Sequence, residues 1–208
     1  ISEATFQIPA VDSKGNALSG DTATVRTMVV APGSTITEGT LAQAPIKDGQ
    51  LVADSQNDLL KAFVFERHHD TGSFAYGFVK GFGIHGALAQ TVAHDAHNLL
   101  VVGDNDADMA LAARTLVECG GGECAVEDGK ILGQVALPIC GLMSPRHVED
   151  VAADVEKVEE AWKSMGCTMP SPFMTMGLLS LACIPSLRLT NRGLVNTDTF
   201  QFESLVVE

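Results

Sequence analysis

The sequence is short of basic residues: 13 Lys and Arg stand against 26 Asp and Glu, which gives a net charge of −13 and a pI near 4.7. A surface field of this sign repels a phosphate backbone and an anionic bilayer. We therefore expect no nucleic acid and no membrane among the partners of this chain.

Long apolar runs are also missing. The longest apolar stretches, such as residues 176–184, reach about half of the ~20 residues that a helix needs to cross a bilayer. The chain does not open with a charged segment followed by an apolar one, so no secretory signal is visible. Because the first residue is Ile1 and not Met, we expect a fragment or a processed product.

Paired cysteines are absent as well. The chain has five cysteines, an odd number, and none of them forms a CxxC pair: Cys119, Cys124, Cys140, Cys167 and Cys183. A disulfide framework and a structural zinc site both need closely spaced pairs. Most of these thiols lie among apolar neighbours and are interpreted as reduced core residues, which favours the cytoplasm.

Several catalytic signatures cannot be found. The chain has no GxSxG elbow, no Walker A sequence and no HExxH pair. The P-C-x-x-C element of zinc nucleobase deaminases is missing, as is the His-x-His pattern that opens a metal-dependent amidohydrolase barrel. On its own, the chain shows no recognisable catalytic machinery.

What the sequence does contain is a core. With 208 residues, 46% of them hydrophobic, it is long enough for one globular unit. Residues 1–21 are interpreted as an extension or linker, and residues 22–208 as the domain. Runs rich in β-branched or apolar residues, bounded by turn signals, predict strands at 24–30, 61–66, 74–79, 99–102, 123–126, 131–137, 173–181, 187–189 and 200–207. Residues 87–93 are ambiguous between strand and helix.

Two helices stand out. The first is predicted over about 104–119, capped by Asp104 or Asn105 and stopped at Gly120. The second covers about 145–165, with Pro145 at its first position and apolar residues at spacings of three and four. The fold class is therefore α+β, a mixed α/β unit with largely antiparallel or mixed sheets.

A glycine motif raises one functional alternative. Gly81, Gly83 and Gly86 satisfy G-x-G-x-x-G after a predicted strand, and Asp104 follows about 20 residues later. This pattern is typical of dinucleotide-binding folds. More than 70 residues of mostly strand-like sequence precede it, however, whereas such folds normally open with the motif.

Histidine is scarce and clustered. His68 and His69 follow one predicted strand, and His94, Asp95, His97 and Asn98 lie before another. Such residues can ligate a metal or hydrogen-bond a purine edge, or they can close a buried turn as a polar network. Glu66 and Arg67 precede the first pair, and Arg67 can bind a carboxylate across the sheet.

Six segments, in order, resemble the C-terminal domain of the bacterial and archaeal adenine deaminases of the amidohydrolase superfamily. They begin with VFERHHDTG, GFVKGFG and VAHDAHN, and continue with LPICGLMS, PFMT and TNRGLV. The similarity runs from about Thr22 to Leu205. Within this resemblance the glycine motif is part of a family turn and not a nucleotide site.

The resemblance implies a role in purine metabolism and salvage. The complete enzyme is a cytoplasmic hydrolase that converts adenine to hypoxanthine and ammonia, with a binuclear manganese or iron centre in an N-terminal barrel. That barrel is the expected partner, adenine the substrate, and a homo-oligomer the expected assembly. Because the barrel's ligands lie outside this chain, the chain alone is predicted to be inactive and to hold no metal or other cofactor, with ligation by His68, His94 and His97 as the alternative.

The candidate site is a location and not a set of catalytic residues. Seven residues are expected to face the barrel mouth or the domain interface, where they help to close or order the active site: Glu66, Arg67, His68, His94, Asp95, His97 and Asn98. Two other functions remain open. One is a stand-alone module that binds a purine or another small ligand without catalysis, and the other is a dinucleotide-binding protein that uses residues 81–86.

Overall fold

The computed structural model describes residues 1–207, which form an α+β fold around a ten-stranded sheet with a separate three-stranded sheet. The strand order of the large sheet is β1-β4-β3-β2-β6-β5-β8-β7-β9-β10. Only β2 and β6 pair in parallel, and the other neighbours are antiparallel. The predicted fold class is confirmed.

The elements follow one another along the chain with short connections. The strands of the large sheet are β1 (Ile8–Pro9), β2 (Thr22–Val29), β3 (Glu38–Lys47), β4 (Gln50–Leu51), β5 (Leu60–Phe65), β6 (Phe74–Lys80), β7 (Ala87–Gln90), β8 (Leu99–Gly103), β9 (Gly122–Glu127) and β10 (Lys130–Ala136). The small sheet contains β11 (Leu187–Thr190), β12 (Gly193–Asn196) and β13 (Gln201–Glu203). The helices are α1 (Asp106–Cys119), α2 (Val148–Ser164) and α3 (Pro172–Leu178), and short 3-10 turns lie at Glu3–Phe6 and Ser55–Asn57.

Strands β5 and β8 are buried on both faces, and so their sequences read as nearly continuous apolar runs. Alternate residues enter two different cores. Ala62 and Val64 join a core beneath α2, α3 and the small sheet, whereas Phe63 and Phe65 join a core beneath α1. The sheet is thus the middle layer of the fold. No helix within residues 1–207 is both long and apolar enough to cross a membrane.

Helix α1 matches its predicted limits closely. The side chain of Asn105 accepts a hydrogen bond from the backbone N–H of Asp108 at 2.9 Å, and Gly120 ends the helix in the left-handed conformation. Helix α2 begins three residues later than predicted, at Val148. The reason is that the N–H of Arg146 bonds the Ser144 hydroxyl, which uses residues 144–146 for a turn.

Two strand predictions in the last third of the chain are wrong. Residues 173–181 form helix α3 and its C-terminal turn instead of a strand, because Pro172 suits a first helical turn and Met and Leu are good helix formers. The strand predicted over 200–207 is limited to Gln201–Glu203. Strand β3, which contains Pro45 and Gly39, carries no clear strand pattern and was not predicted.

The N-terminal segment packs on the sheet. Phe6 and Ile8 are fully buried in the α1 core, and Phe6 makes edge contacts with the rings of Phe63 and Phe65. Lys61, 3% exposed, donates to the carbonyl of Phe6 at 2.9 Å and pairs with Asp106 at the start of α1. This buried ammonium therefore joins the N-terminal segment, the sheet and the helix. The domain boundary at residue 22 stays a prediction.

A second buried cation joins the small sheet to the rest. Arg188 on β11 is fully buried and donates to four backbone carbonyls, those of Leu178, Ile184, Thr35 and Pro185, at 2.6–2.9 Å. Leu178 is the last residue of α3, so the guanidinium caps that helix as well. Desolvation lowers the pKa of Arg188, yet an arginine stays charged in folded proteins.

We expect Arg188→Leu to lower the free energy of unfolding by about 3 kcal/mol or more, because four buried carbonyls lose their donor. Arg188→Lys should destabilise as well, since an ammonium cannot reach carbonyls on both sides of the fork. Urea denaturation followed by circular dichroism measures both. Arg114→Leu, at an exposed position of α1, is the control and should stay within about 0.5 kcal/mol of wild type. Equal stability of the Arg188 and Arg114 variants would contradict this account.

Candidate functional site at one end of the sheet

The candidate residues share one end of the central sheet. The register places Phe65 opposite Leu99, Gln90 opposite Glu123, and Ala136 opposite Gly122. The connections that leave these strand ends therefore gather at the same edge. We call this edge the loop face. It comprises the first loop (residues 66–73), the second loop (residues 91–98), the third loop (residues 137–147) and the short connection at residues 120–121. All seven residues of the predicted site lie on it.

Glu66 holds the first loop together. Its carboxylate accepts hydrogen bonds from the backbone N–H groups of His68 at 2.5 Å and His69 at 2.9 Å, and from the Thr71 hydroxyl at 3.0 Å. Its side chain is only 9% exposed. Desolvation acts to raise the pKa of Glu66, but these hydrogen bonds prevail and lower it to about 2. The residue is thus an anion at neutral pH, and it shapes residues 66–71.

Arg67 joins the second and third loops to the sheet. Its Nε donates to the carbonyl of His97 at 2.5 Å, and its Nη2 donates to the carbonyl of Cys140 at 2.7 Å. No carboxylate of residues 1–207 pairs with it, so the predicted carboxylate partner is wrong within this chain. Burial lowers the pKa of Arg67. The positive charge of its guanidinium orients the two backbone carbonyls to which it donates.

Sequence reasoning missed the partners of Arg67 in the third loop. A Cβ atom on Gly141 would lie 2.7 Å from Arg67 Nη2, so only glycine, at φ +71°, lets the guanidinium pass. Thr91 fixes the same glycine: its hydroxyl donates to the Gly141 carbonyl at 2.6 Å and accepts from the Gly122 N–H at 2.8 Å. Backbone partners of this kind leave no side-chain signal in the sequence.

The histidines serve different contacts. His68 Nε2 lies 2.6 Å from the carbonyl of Ala96, which ties the first loop to the second. His94 and His97 lie with ring centroids 5.9 Å apart, while Asp95 is exposed to solvent. Desolvation, followed by the charges of His94 and Arg67, lowers the pKa of His97, so its ring is neutral at pH 7.

Two polar atoms on the second loop are buried without a hydrogen-bond partner in the described chain: His97 Nδ1 and Asn98 Oδ1. Asn98 as a whole is 4% exposed. Burying an unpaired polar atom costs about 1–3 kcal/mol, so such atoms are rare in folded proteins. These two atoms mark the place on the loop face where buried polar groups lack a hydrogen-bond partner within residues 1–207.

The described residues give no support to the metal alternative. Within residues 1–207 no group of three or more His, Cys, Asp and Glu side chains could hold a metal ion. His68 Nε2 lies 2.6 Å from the Ala96 carbonyl, and the ring centroids of His94 and His97 are 5.9 Å apart. Ligation of a metal by His68, His94 and His97 therefore has no support in the described residues, and the expected absence of a metal from this chain stays a prediction.

The glycine motif does not form a phosphate cradle. The N–H groups of Gly81 and Gly83 already donate to the carboxylate of Asp58, at 2.6 and 2.8 Å. The N–H of Gly86 donates to Asp104, and strand β7 follows where a nucleotide site requires a helix. Both acids therefore serve the turn itself, and the dinucleotide-binding alternative is wrong.

The chain is similar to known adenine deaminases. Residues 34–201 match the model of the adenine deaminase C-terminal domain. An adenine deaminase of Clostridium botulinum (strain ATCC 19397 / Type A) is 59% identical over 186 residues, which cover 89% of this chain and 31% of the relative. One from Moorella thermoacetica is 54% identical over 183 residues, covering 88% of this chain and 31% of the relative. One from Methanothrix thermoacetophila is 40% identical over 209 residues, covering 100% of this chain and 35% of the relative.

These matches define the class of the molecule: the chain belongs to the family of adenine deaminase C-terminal domains. It spans about a third of the length of the curated relatives that it matches. The resemblance found in the sequence is confirmed.

The low pKa of Glu66 predicts how its variant responds to acid. The pKa in the folded chain, about 2, lies below the ordinary value of 4.5, so ionised Glu66 stabilises the fold above pH ~4.5. This stabilisation is lost as the pH falls toward 2. We expect Glu66→Gln to lower the urea midpoint at pH 6, and the gap to wild type to narrow steadily below pH ~4.5. The exposed Glu118→Gln is the control, and a gap that does not change with pH would contradict the assignment.

Proposed function

We propose that this chain is the C-terminal accessory domain of an enzyme that hydrolyses adenine to hypoxanthine and ammonia. One observation carries the proposal: the chain belongs to the adenine deaminase C-terminal domain family yet spans only about a third of its relatives' length. The remaining part of such an enzyme precedes this domain and carries the reaction. The complete protein is then a hydrolase of purine metabolism and salvage.

The chemistry belongs to that preceding part. In the reaction, an oxygen from water replaces the amino group on the adenine ring, and the amino group leaves as ammonia. The family resemblance places a binuclear manganese or iron centre in an amidohydrolase-type barrel, where the metal supplies activated water. Within residues 1–207 no set of side chains could hold that group, so we assign no metal ligand and no catalytic residue to this chain. Alone, the chain is predicted to be inactive.

The loop face is the surface on which we propose that the catalytic N-terminal part docks. It exposes apolar side chains around an ordered polar cluster: Ile139 is 42% exposed, Met143 57% and Val148, the first residue of α2 beside it, 74%. An isolated domain gains nothing from such exposure, whereas a docked one buries it. The occupant is the N-terminal part of the same enzyme, which is the length of chain that the relatives have and this chain lacks.

The seven candidate residues act there as positioning residues. Glu66 and Arg67 fix the loops from within, and His94, Asp95 and His97 line the outer turn of residues 94–98. Asn98 and His68 connect that turn to the sheet and to the first loop. In this proposal the cluster orders the boundary of the active site and does not transfer protons.

A stand-alone module that binds a purine without catalysis is the second candidate. The exposed apolar residues of the loop face favour the accessory domain, because an independent module would present a polar surface there. The five cysteines are free, which supports the proposed cytoplasmic location. Homo-oligomeric assembly is proposed on the family resemblance alone.

Reconstitution tests the proposed function. The N-terminal part of a full-length relative and this chain are expressed separately, and ammonia release from adenine is measured. We expect no turnover from the chain alone and a clear gain when it is added to the N-terminal part. Turnover by this chain alone, or an N-terminal part that is fully active and unaffected by the addition, would contradict the proposal.

A charge on the loop face should weaken the docking. We expect Ile139→Asp to reduce the affinity for the N-terminal part by about tenfold or more, because a carboxylate replaces a buried apolar contact. Calorimetric titration measures this affinity. The matched control is Ile131→Asp at the opposite end of β10, where the isoleucine is 47% exposed and the affinity should not change. An equal effect of the two substitutions would show that the docking surface lies elsewhere.

A further inference from the structure

A cavity of about 320 Å³ opens beside the loop face, between the central sheet and the turn that connects β11 and β12. Its walls are mostly apolar, with a few polar groups among them. The lining residues that matter here are Val64, Asn98, Ser180, Asn191, Arg192 and Phe202. Its size and its apolar walls with few polar groups are typical of the smaller sites for low-molecular-weight ligands. We call it the Asn98 cavity.

The side-chain amide of Asn98 is buried and has no hydrogen-bond partner among the described residues. The residue is 4% exposed, its Oδ1 is buried without a partner, and its side chain makes no hydrogen bond within residues 1–207. The neighbouring polar groups are already engaged: the Ser180 hydroxyl donates to the His94 carbonyl, and the Asn191 amide donates to the Ser73 hydroxyl. Asn98 thus leaves both its donor and its acceptor unpaired in a side chain that lines the cavity, with Oδ1 itself buried.

Another part of the lining offers a flat surface. The guanidinium carbon of Arg192 lies 5.5 Å from the ring centroid of Phe202, in the geometry of a cation–π pair. Both side chains border the cavity and both are exposed to solvent. Aromatic rings and guanidinium planes are the surfaces on which nucleobases stack in proteins. The Asn98 cavity therefore combines a stacking surface with an unpaired amide.

We propose that the Asn98 cavity binds a free adenine base, as a site on this domain in addition to the reaction centre. An asparagine amide recognises the adenine edge with two hydrogen bonds, in which its oxygen accepts from the exocyclic amino group and its nitrogen donates to N7. The χ2 torsion of asparagine is broad, so a small rotation turns Oδ1 toward the base. The choice of adenine among planar bases rests on the proposed function.

The same chemistry sets the selectivity. Hypoxanthine carries an oxygen where adenine carries the amino group, so it offers no donor to Asn98 Oδ1 at that edge. The site should therefore bind the substrate of the proposed reaction more tightly than its product. Residues 94–97 lead directly into Asn98. Adenine bound at Asn98 would therefore hold the loop face in its ordered form while substrate is plentiful.

Calorimetric titration of the 208-residue chain with adenine and with hypoxanthine tests the proposal. We expect one adenine per chain and at least about tenfold weaker binding of hypoxanthine. Asn98→Leu should weaken adenine binding by about tenfold or more, and Phe202→Ala should weaken it as well. Asn57→Leu, at an exposed asparagine far from the cavity, is the matched control and should bind adenine like wild type.

A stability readout separates loss of the site from loss of the fold. Asn98→Leu removes a buried amide with no partner, so its urea midpoint should equal or exceed that of wild type while binding falls. No adenine binding at millimolar concentration, or equal binding by Asn98→Leu, would overturn the proposal. If the reconstituted enzyme still deaminates adenine in that case, the proposed function stands without the site. If the chain binds adenine but the complete enzyme does not deaminate it, the proposed function fails instead.

Discussion

The architecture of the loop face depends on one guanidinium. Arg67 leaves the end of β5 and donates to the carbonyls of His97 and Cys140, which belong to two loops far apart in sequence. Since no carboxylate of residues 1–207 pairs with it, its charge is available to orient backbone dipoles, and charge-assisted bonds of this kind are stronger than neutral ones. Gly141, which has no side chain, leaves room for the Arg67 guanidinium. The Thr91 hydroxyl donates to the carbonyl of Gly141 and so holds the loop that carries Cys140.

Buried cations that donate to backbone carbonyls recur in the fold. Arg188 donates to four backbone carbonyls. One lies at the end of α3, two in the segment just before β11 and one in the segment before β3. Lys61 differs in having Asp106 as a partner, but it too binds a carbonyl, that of Phe6. Each of these residues joins segments that are distant in sequence.

The sequence predicts those parts of the fold that depend on interactions between residues close together in the chain. Apolar runs and turn signals locate β5, β6, β8 and the β9–β10 hairpin, and the Asn105 cap and Gly120 locate α1, because these signals are local. Residues 173–181 were misassigned since a short apolar run fits a strand or a helix equally well. The grouping of Glu66 through Asn98 followed from the family resemblance, whereas the carbonyl partners of Arg67 and the Asn98 cavity depend on tertiary contacts.

The central claim is that the loop face, ordered by Glu66 and Arg67, is where this domain meets the catalytic part of its enzyme. Hydrogen exchange of the chain, alone and with the separately expressed N-terminal part, tests it most directly. The account predicts that amides of residues 94–98 and 137–147 gain protection, while those near Ile131 at the other end of β10 do not. Protection confined to that other end, with residues 94–98 unchanged, would contradict the claim.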